Sequence, residues 1–176
     1  RVSYPGPLQH NRFFADHFKK VIQSMSVPSH NTPTAKRQDG REGRLVTDDG
    51  DIRRLLKATA TIAVLGLSPK PERDSHRIAV YLQRQGYRII PVRAAQREIL
   101  GEKAYGSLGE IPERVDLVNA FVNPARILPH AREAIALAPR AFWMQTGIEN
   151  REAAELLRQA GIDVVMDRCI GVAHAL

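Results

Sequence analysis

The residues best suited to chemistry lie in one turn, "GLSPKPERDS" (66–75), directly after the apolar run "TIAVL". Gly66 permits a tight turn or close backbone approach, and the N–H groups that open a following helix make an anion site without a lysine. Ser68, Arg73 and Ser75 add a hydroxyl, a guanidinium and a second hydroxyl placed to cap that helix. A phosphate-bearing ligand is the functional reading. A purely structural turn rich in Ser and Pro shares these features, because the second and third glycines of a dinucleotide fingerprint are missing.

The end of the next strand discriminates among nucleotides. An NAD site places Asp or Glu there, roughly twenty residues beyond the glycines, to take the ribose hydroxyls. Here the stretch is "IIPVRAAQRE", and Arg93 holds that position. A guanidinium suits a phosphorylated ribose, which favours coenzyme A or NADP over NAD. The bland alternative is a solvated arginine.

Cys169, in "VVMDRCIG", has Asp167 and His174 near it in sequence. An activated nucleophile needs a positioned base and an orienting partner, which closeness along a loop does not supply, so no catalytic residue is assigned. His130, His174 and Cys169 have no recognisable ligand spacing, and no metal site is assigned either. Cys169 follows the last strand on the side of the sheet that carries the phosphate turn. Arg168 beside it favours a thiolate, burial opposes one, and a small buried cysteine is the bland reading.

The elements that must position these residues begin at Thr47. "TDDGDIRRLLKAT" reads as a short helix with N-cap candidates Thr47, Asp48 and Asp49 and an apolar face of Ile52, Leu55 and Leu56. Strands "TIAVLGL", "YRIIPV", "DLVNAFV", "RAFWMQ" and "IDVVMD" then alternate with helices "HRIAVYLQRQG", "ARILPHAREAIALA" and "NREAAELLRQAG". "GEKAYGSLGEIPERV" reads mostly as connection. The pattern predicts an α/β, Rossmann-like, doubly wound parallel sheet of five core strands in the order 3-2-1-4-5. Its ligand would lie beyond the carboxyl ends of the strands, where the turn at Gly66 sits.

The whole chain fits one such domain with an appendage. Its 176 residues carry a formal charge of +7, and residues 1–60 hold 11 Lys and Arg against 6 Asp and Glu while residues 61–176 hold 15 against 13. The excess therefore belongs mainly to an N-terminal extension, 1–46, read as partly disordered or as a packed arm, in which only "RFFADHFKKVIQSM" has the pattern of an amphipathic helix. No zinc-finger spacing or recognition-helix pattern makes a nucleic-acid reading specific. No run approaches the roughly 18 apolar residues of a membrane span, no signal-peptide core opens the chain, and the single cysteine cannot form an internal disulfide. A cytoplasmic protein is expected, with a homodimer or a protein partner left open.

In order and spacing, "IAVLGLSPKPERDSHRIAVYL", "GYRIIPV", "ILGEKAYGSLGEIP", "GIENREAAELLRQAG" and "VVMDRCIGVAH" resemble the small bacterial and archaeal CoA-binding-domain proteins, related to the CoA-binding domain of the succinyl-CoA synthetase alpha subunit. The resemblance runs from Thr47 to the C-terminus, about three quarters of the chain. It implies coenzyme A across the strand ends, with its phosphates on the Gly66 loop, including Ser68, Arg73 and Ser75. "VRA" stands where the family often has "VNP", which brings Val92 and Arg93 near the adenosine part. "AFVNPARI" resembles the family's "VFRRPE", so Phe121, Val122 and Pro124 would line the adenine side, with Asn123 where a basic residue is common. The expected function is binding of CoA or a small acyl-CoA by a carrier, sensor or regulatory protein, and the alternative is an NADP-dependent oxidoreductase or NADP-binding redox sensor. The position of Cys169 would let the CoA thiol approach it and form a mixed disulfide under oxidising conditions.

Overall fold

The computed structural model describes residues 40–176. Most of the expected extension, including "RFFADHFKKVIQSM", lies outside the described residues. In chain order the elements are α1 (Asp49–Lys57), β1 (Thr61–Leu65), α2 (Asp74–Arg84), β2 (Arg88–Val92), the short β3 (Glu98–Ile99) and β4 (Glu102–Lys103), β5 (Leu117–Ala120), α3 (Ile127–Leu137), β6 (Ala141–Met144), α4 (Arg151–Gln159), β7 (Asp163–Val165) and α5 (Ile170–Ala175). Among the described residues, no helix is long and apolar enough to cross a membrane.

Local chemistry explains the helix ends. Asp48 caps α1 by accepting from Asp51 N at 3.0 Å, and Asn150 caps α4 by accepting from Ala153 N at 2.9 Å. Pro129 is the third residue of α3, where its missing N–H forfeits no intrahelical bond. On α1, Ile52, Leu55 and Leu56 recur at helical spacing and are buried.

Five parallel strands form the sheet, in the order β2-β1-β5-β6-β7. Alternate side chains serve opposite faces. Ala63, Leu65, Phe142 and Met144 pack with α3 and α4, whereas Ile62, Val64 and Trp143 pack with α1, α2 and α5. With both faces covered, each strand reads as a nearly unbroken apolar run. The Rossmann-like, doubly wound architecture is as the alternation implied.

The strand order corrects one expectation. Counting the core strands alone, it is 2-1-3-4-5 rather than 3-2-1-4-5, so the third strand lies on the far side of β1 from β2. Pro91 gives the reason. Its carbonyl faces away from β1 and accepts from Tyr105 N at 2.9 Å, and its missing N–H lies on that same outer side, where a further strand would need a donor. Tyr105 O in turn accepts from Arg93 N at 2.8 Å, so the 103–105 segment straps the outer edge. On the other side of β1, the Asp116 carboxylate accepts from Ala60 N at 3.0 Å and Thr61 N at 3.1 Å, which pins the start of β5 there.

The opposite edge is also occupied. Gly43 N donates to Arg158 O and Val46 N to Val164 O, each at 2.8 Å, and Leu45 bridges Val164 in parallel. A β-carbon at Gly43 would fall 2.0 Å from Ile162 O, so only glycine lets the chain approach β7 this closely. Residues 43–46 of the expected extension thus run along the sheet.

Asp116→Ala removes the acceptor for two backbone donors and should lower unfolding stability by about 1–2 kcal/mol. Urea denaturation measures it, and an unchanged midpoint would show that Asp116 does not fix the β1–β5 junction.

Candidate functional site

β1 ends at Leu65, and the chain must turn at once into the loop before α2. Gly66 makes that turn at φ +81°, donating its N–H to Val92 O at 2.9 Å, while Phe121 N donates to Leu65 O at 2.9 Å. A β-carbon on Gly66 would lie 2.8 Å from Phe121 O. Both properties expected of this glycine, tight turning and close approach, are therefore used.

The serines hold the turn together. Ser68 N donates to Ser75 Oγ at 3.1 Å, Lys70 N donates to Ser68 Oγ at 3.2 Å, and Ser68 O lies 2.9 Å from His76 Nδ1. Both serines are buried. Ser75 is not the helix cap: Arg73 occupies that position, makes no side-chain capping bond, and leaves the start of α2 open. The reason is that Ser75 is already the second helical residue, and its oxygen is engaged by the loop.

The open helix end faces a polar cavity of about 520 Å³ lined by Gly66, Ser68, Lys70, Arg73, Ser75 and Arg93, with Gln96 and Phe121 at its margins. Asp74 is the acidic residue of this lining, and it is paired with Arg77. Three cationic side chains and the positive end of a helix dipole make a strong site for an anion with more than one charged group. Arg73 and Arg93 are exposed, so their guanidinium groups remain free to turn toward a ligand.

Phe121 and Asp74 also line a second cavity of about 440 Å³, together with Val122, Pro124, Gln145, Ile148 and Cys169. The two cavities form one groove over the carboxyl ends of the strands, at the point where chain direction reverses about β1. Its first half is cationic and its second half mainly apolar. Of the residues singled out in sequence, the groove gathers Gly66, Ser68, Arg73, Ser75, Arg93, Phe121, Val122 and Pro124. Val92 is different: its side chain is 1% exposed and belongs to the core, and it serves the loop through the carbonyl that accepts from Gly66 N.

Cys169 is partly buried and opens α5. Neither neighbour in sequence is directed at it. The Asp167 carboxylate accepts from Gly147 N at 2.7 Å, and His174 Nδ1 lies 2.9 Å from the Tyr81 hydroxyl. Beyond α5, burial first and Tyr81 second push the Tyr87 phenol above its ordinary pKa, so it stays neutral and donates to Leu56 O at 3.3 Å.

Several groove residues escaped the sequence reading. Lys70 and Gln96 are ordinary turn residues by type, and nothing in their spacing marks them. Asn119 and Gln145 did carry a signal, since each is a polar amide in an otherwise apolar strand segment, "DLVNAFV" and "RAFWMQ". Gln145 Nε2 donates to Asn119 Oδ1 at 2.7 Å, and both residues are buried.

Comparison with known proteins gives this groove a family. Residues 60–175 match the family described as CoA binding domain. The chain is 41% identical over 126 residues to the uncharacterized protein YneT of Bacillus subtilis, spanning 72% of this chain and 93% of that one. A solved structure from Thermus thermophilus, cell-free ID.343, superposes with a TM-score of 0.71 at 40% identity, covering 73% of this chain and 98% of the other. The ADP-forming acetate–CoA ligase I of Archaeoglobus fulgidus is 32% identical over 122 residues, 63% of this chain but only 18% of the ligase. The kinship is thus with CoA ligases broadly rather than with the succinyl-CoA synthetase alpha subunit in particular. The match is to a coenzyme A domain, and none of these comparisons supports NADP. A cationic cleft joined to an apolar one at the strand ends, in a chain that matches the domain over residues 60–175, makes this protein a member of the CoA-binding domain family.

Proposed function

We propose that the protein holds coenzyme A or a small acyl-CoA in the strand-end groove and acts as a carrier, sensor or regulatory domain rather than as a complete ligase. One observation carries this reading: the cationic cavity and the apolar cavity share Phe121 and Asp74. Coenzyme A is itself divided this way, with a polyanionic nucleotide at one end and an uncharged pantetheine arm at the other. The ligase relative is far longer than the matched segment, so its reaction is not carried over.

In this arrangement the pyrophosphate lies at the open start of α2, held by backbone N–H groups and Arg73, with Ser68 and Ser75 shaping the loop. Arg93 takes the ribose phosphate. Phe121, Val122 and Pro124 give the adenine side its apolar surface, and the arm continues within the same cavity toward Cys169. A protein partner, including a second copy, belongs to the proposal, as does a cytoplasmic location.

Calorimetry with CoA, dephospho-CoA, NAD and NADP tests the reading. CoA should bind more tightly than dephospho-CoA or NAD, which lack the phosphate assigned to Arg93. Equal affinity for CoA and dephospho-CoA would remove Arg93 from that role, and tighter binding of NADP than of CoA would overturn the function. Arg73→Ala should weaken CoA binding by roughly 1.5–3 kcal/mol through loss of a charge-assisted contact, with the fold intact because Arg73 is exposed. Unchanged affinity in the folded variant would leave the pyrophosphate to the backbone.

A further inference from the structure

Two buried amides, Gln145 in the wall of the second cavity and Asn119 bonded to it, are unequally satisfied. Gln145 is 4% exposed, yet it is one of the residues that line the cavity. Its Oε1 accepts from Ile170 N at 3.4 Å and its Nε2 donates to Asn119 Oδ1 at 2.7 Å. Asn119 is 0% exposed, and its Nδ2 has no hydrogen-bond partner among the described residues.

A buried amide donor left unmade costs about 1–3 kcal/mol, and a sheet built otherwise of Val, Leu, Ala, Phe and Trp at this level has no packing need for two amides. The contacts define what the pair does. The Ile170 N–H fixes which way the Gln145 amide faces, because rotating it would set two donors against each other, and Asn119 Oδ1 accepts from Nε2 at the other end. A primary amide nitrogen carries two hydrogens, and the bond to Asn119 uses one. The second is left for a ligand, in a cavity whose other polar lining residues are Asp74, Asn123 and Thr146.

We propose that Gln145 is the specificity-determining contact for the arm of the ligand, donating its second amide hydrogen to a carbonyl oxygen of the pantetheine chain, and that Asn119 is the positioning residue that holds it in that orientation. This rests on the coenzyme A reading and deepens it. The cationic cavity recognises the phosphates, which many cofactors share in part. The buried amide recognises the feature that sets CoA apart from other adenine nucleotides, an uncharged chain bearing amide carbonyls. A carbonyl acceptor in an apolar cleft is poorly served by water, so a single well-placed donor discriminates strongly.

The test compares S-methyl-CoA, which has no free thiol, with adenosine 3′-phosphate 5′-diphosphate, which keeps every phosphate and lacks the arm. In the wild type S-methyl-CoA should bind more tightly and should slow alkylation of Cys169, the single cysteine of the chain, whereas the diphosphate at saturation should not. Gln145→Met and Gln145→Leu both remove the donor and leave an uncharged side chain of similar volume. Each should weaken S-methyl-CoA by about tenfold while leaving the diphosphate affinity unchanged, and that unchanged affinity is also the proof of folding. An unaltered affinity ratio in both variants, or equal protection of Cys169 by the two probes, overturns the inference and leaves CoA binding standing. Failure of the wild type to bind either probe overturns the coenzyme A reading itself.

Discussion

Gly66 passes so near the Phe121 carbonyl that a β-carbon would lie 2.8 Å from the oxygen, and it does so at a φ of +81°. This contact joins the ends of β1 and β5, while the Gly66 N–H joins the same turn to β2. The groove exists because these three strand ends are tied at one residue. On one side of it the chain enters α2 and opens the anion site; on the other, Phe121 begins the wall that both cavities share. A side chain at position 66 would part β1 from β5 and separate the cationic half of the groove from the apolar half.

Charge and desolvation act in opposite ways along that groove. Lys70, Arg73 and Arg93 converge on a helix end that is already positive, so the cleft concentrates like charge. An anion removes that cost, and the folded state gains stability in proportion to its binding. In the apolar half the cost is desolvation, concentrated on the Asn119–Gln145 pair. Both halves are therefore less stable locally than a surface turn and an aliphatic core would be, which is common where binding sites are built in advance of their ligand.

Most of the fold was legible because periodicity and punctuation agreed. Apolar runs of strand length, helices closed by Gly86 and Gly161, and the Asp48 and Asn150 caps all mark their elements directly. Strand order was legible too, but in a single residue: Pro91 within "RIIPV" marks an edge strand, and the alternation of elements says nothing about edges. The helix α5 is short and contains Gly171, and β3 and β4 have two residues each, so none has enough length to show a period. At the site, Gly66, Arg73 and Arg93 could be found because their types are unusual for their positions. Val92 looked equivalent to Arg93 by adjacency, but it is the last residue of β2, which is covered on both faces, whereas Arg93 lies beyond the strand. Asn119 and Gln145 stand out as amides in apolar segments, but their pairing shows only once the strands are laid side by side.

Strand edges are the usual route by which open sheets recruit neighbours. Here one is closed by Pro91 and the strap at Tyr105, and the other by the chain passing through Gly43, Leu45 and Val46. Among the described residues, β2 and β7 are therefore each already paired on their outer side along these stretches. An assembly made through the helical faces and loops would keep this ladder intact, with contacts that can form and dissolve without unzipping a strand.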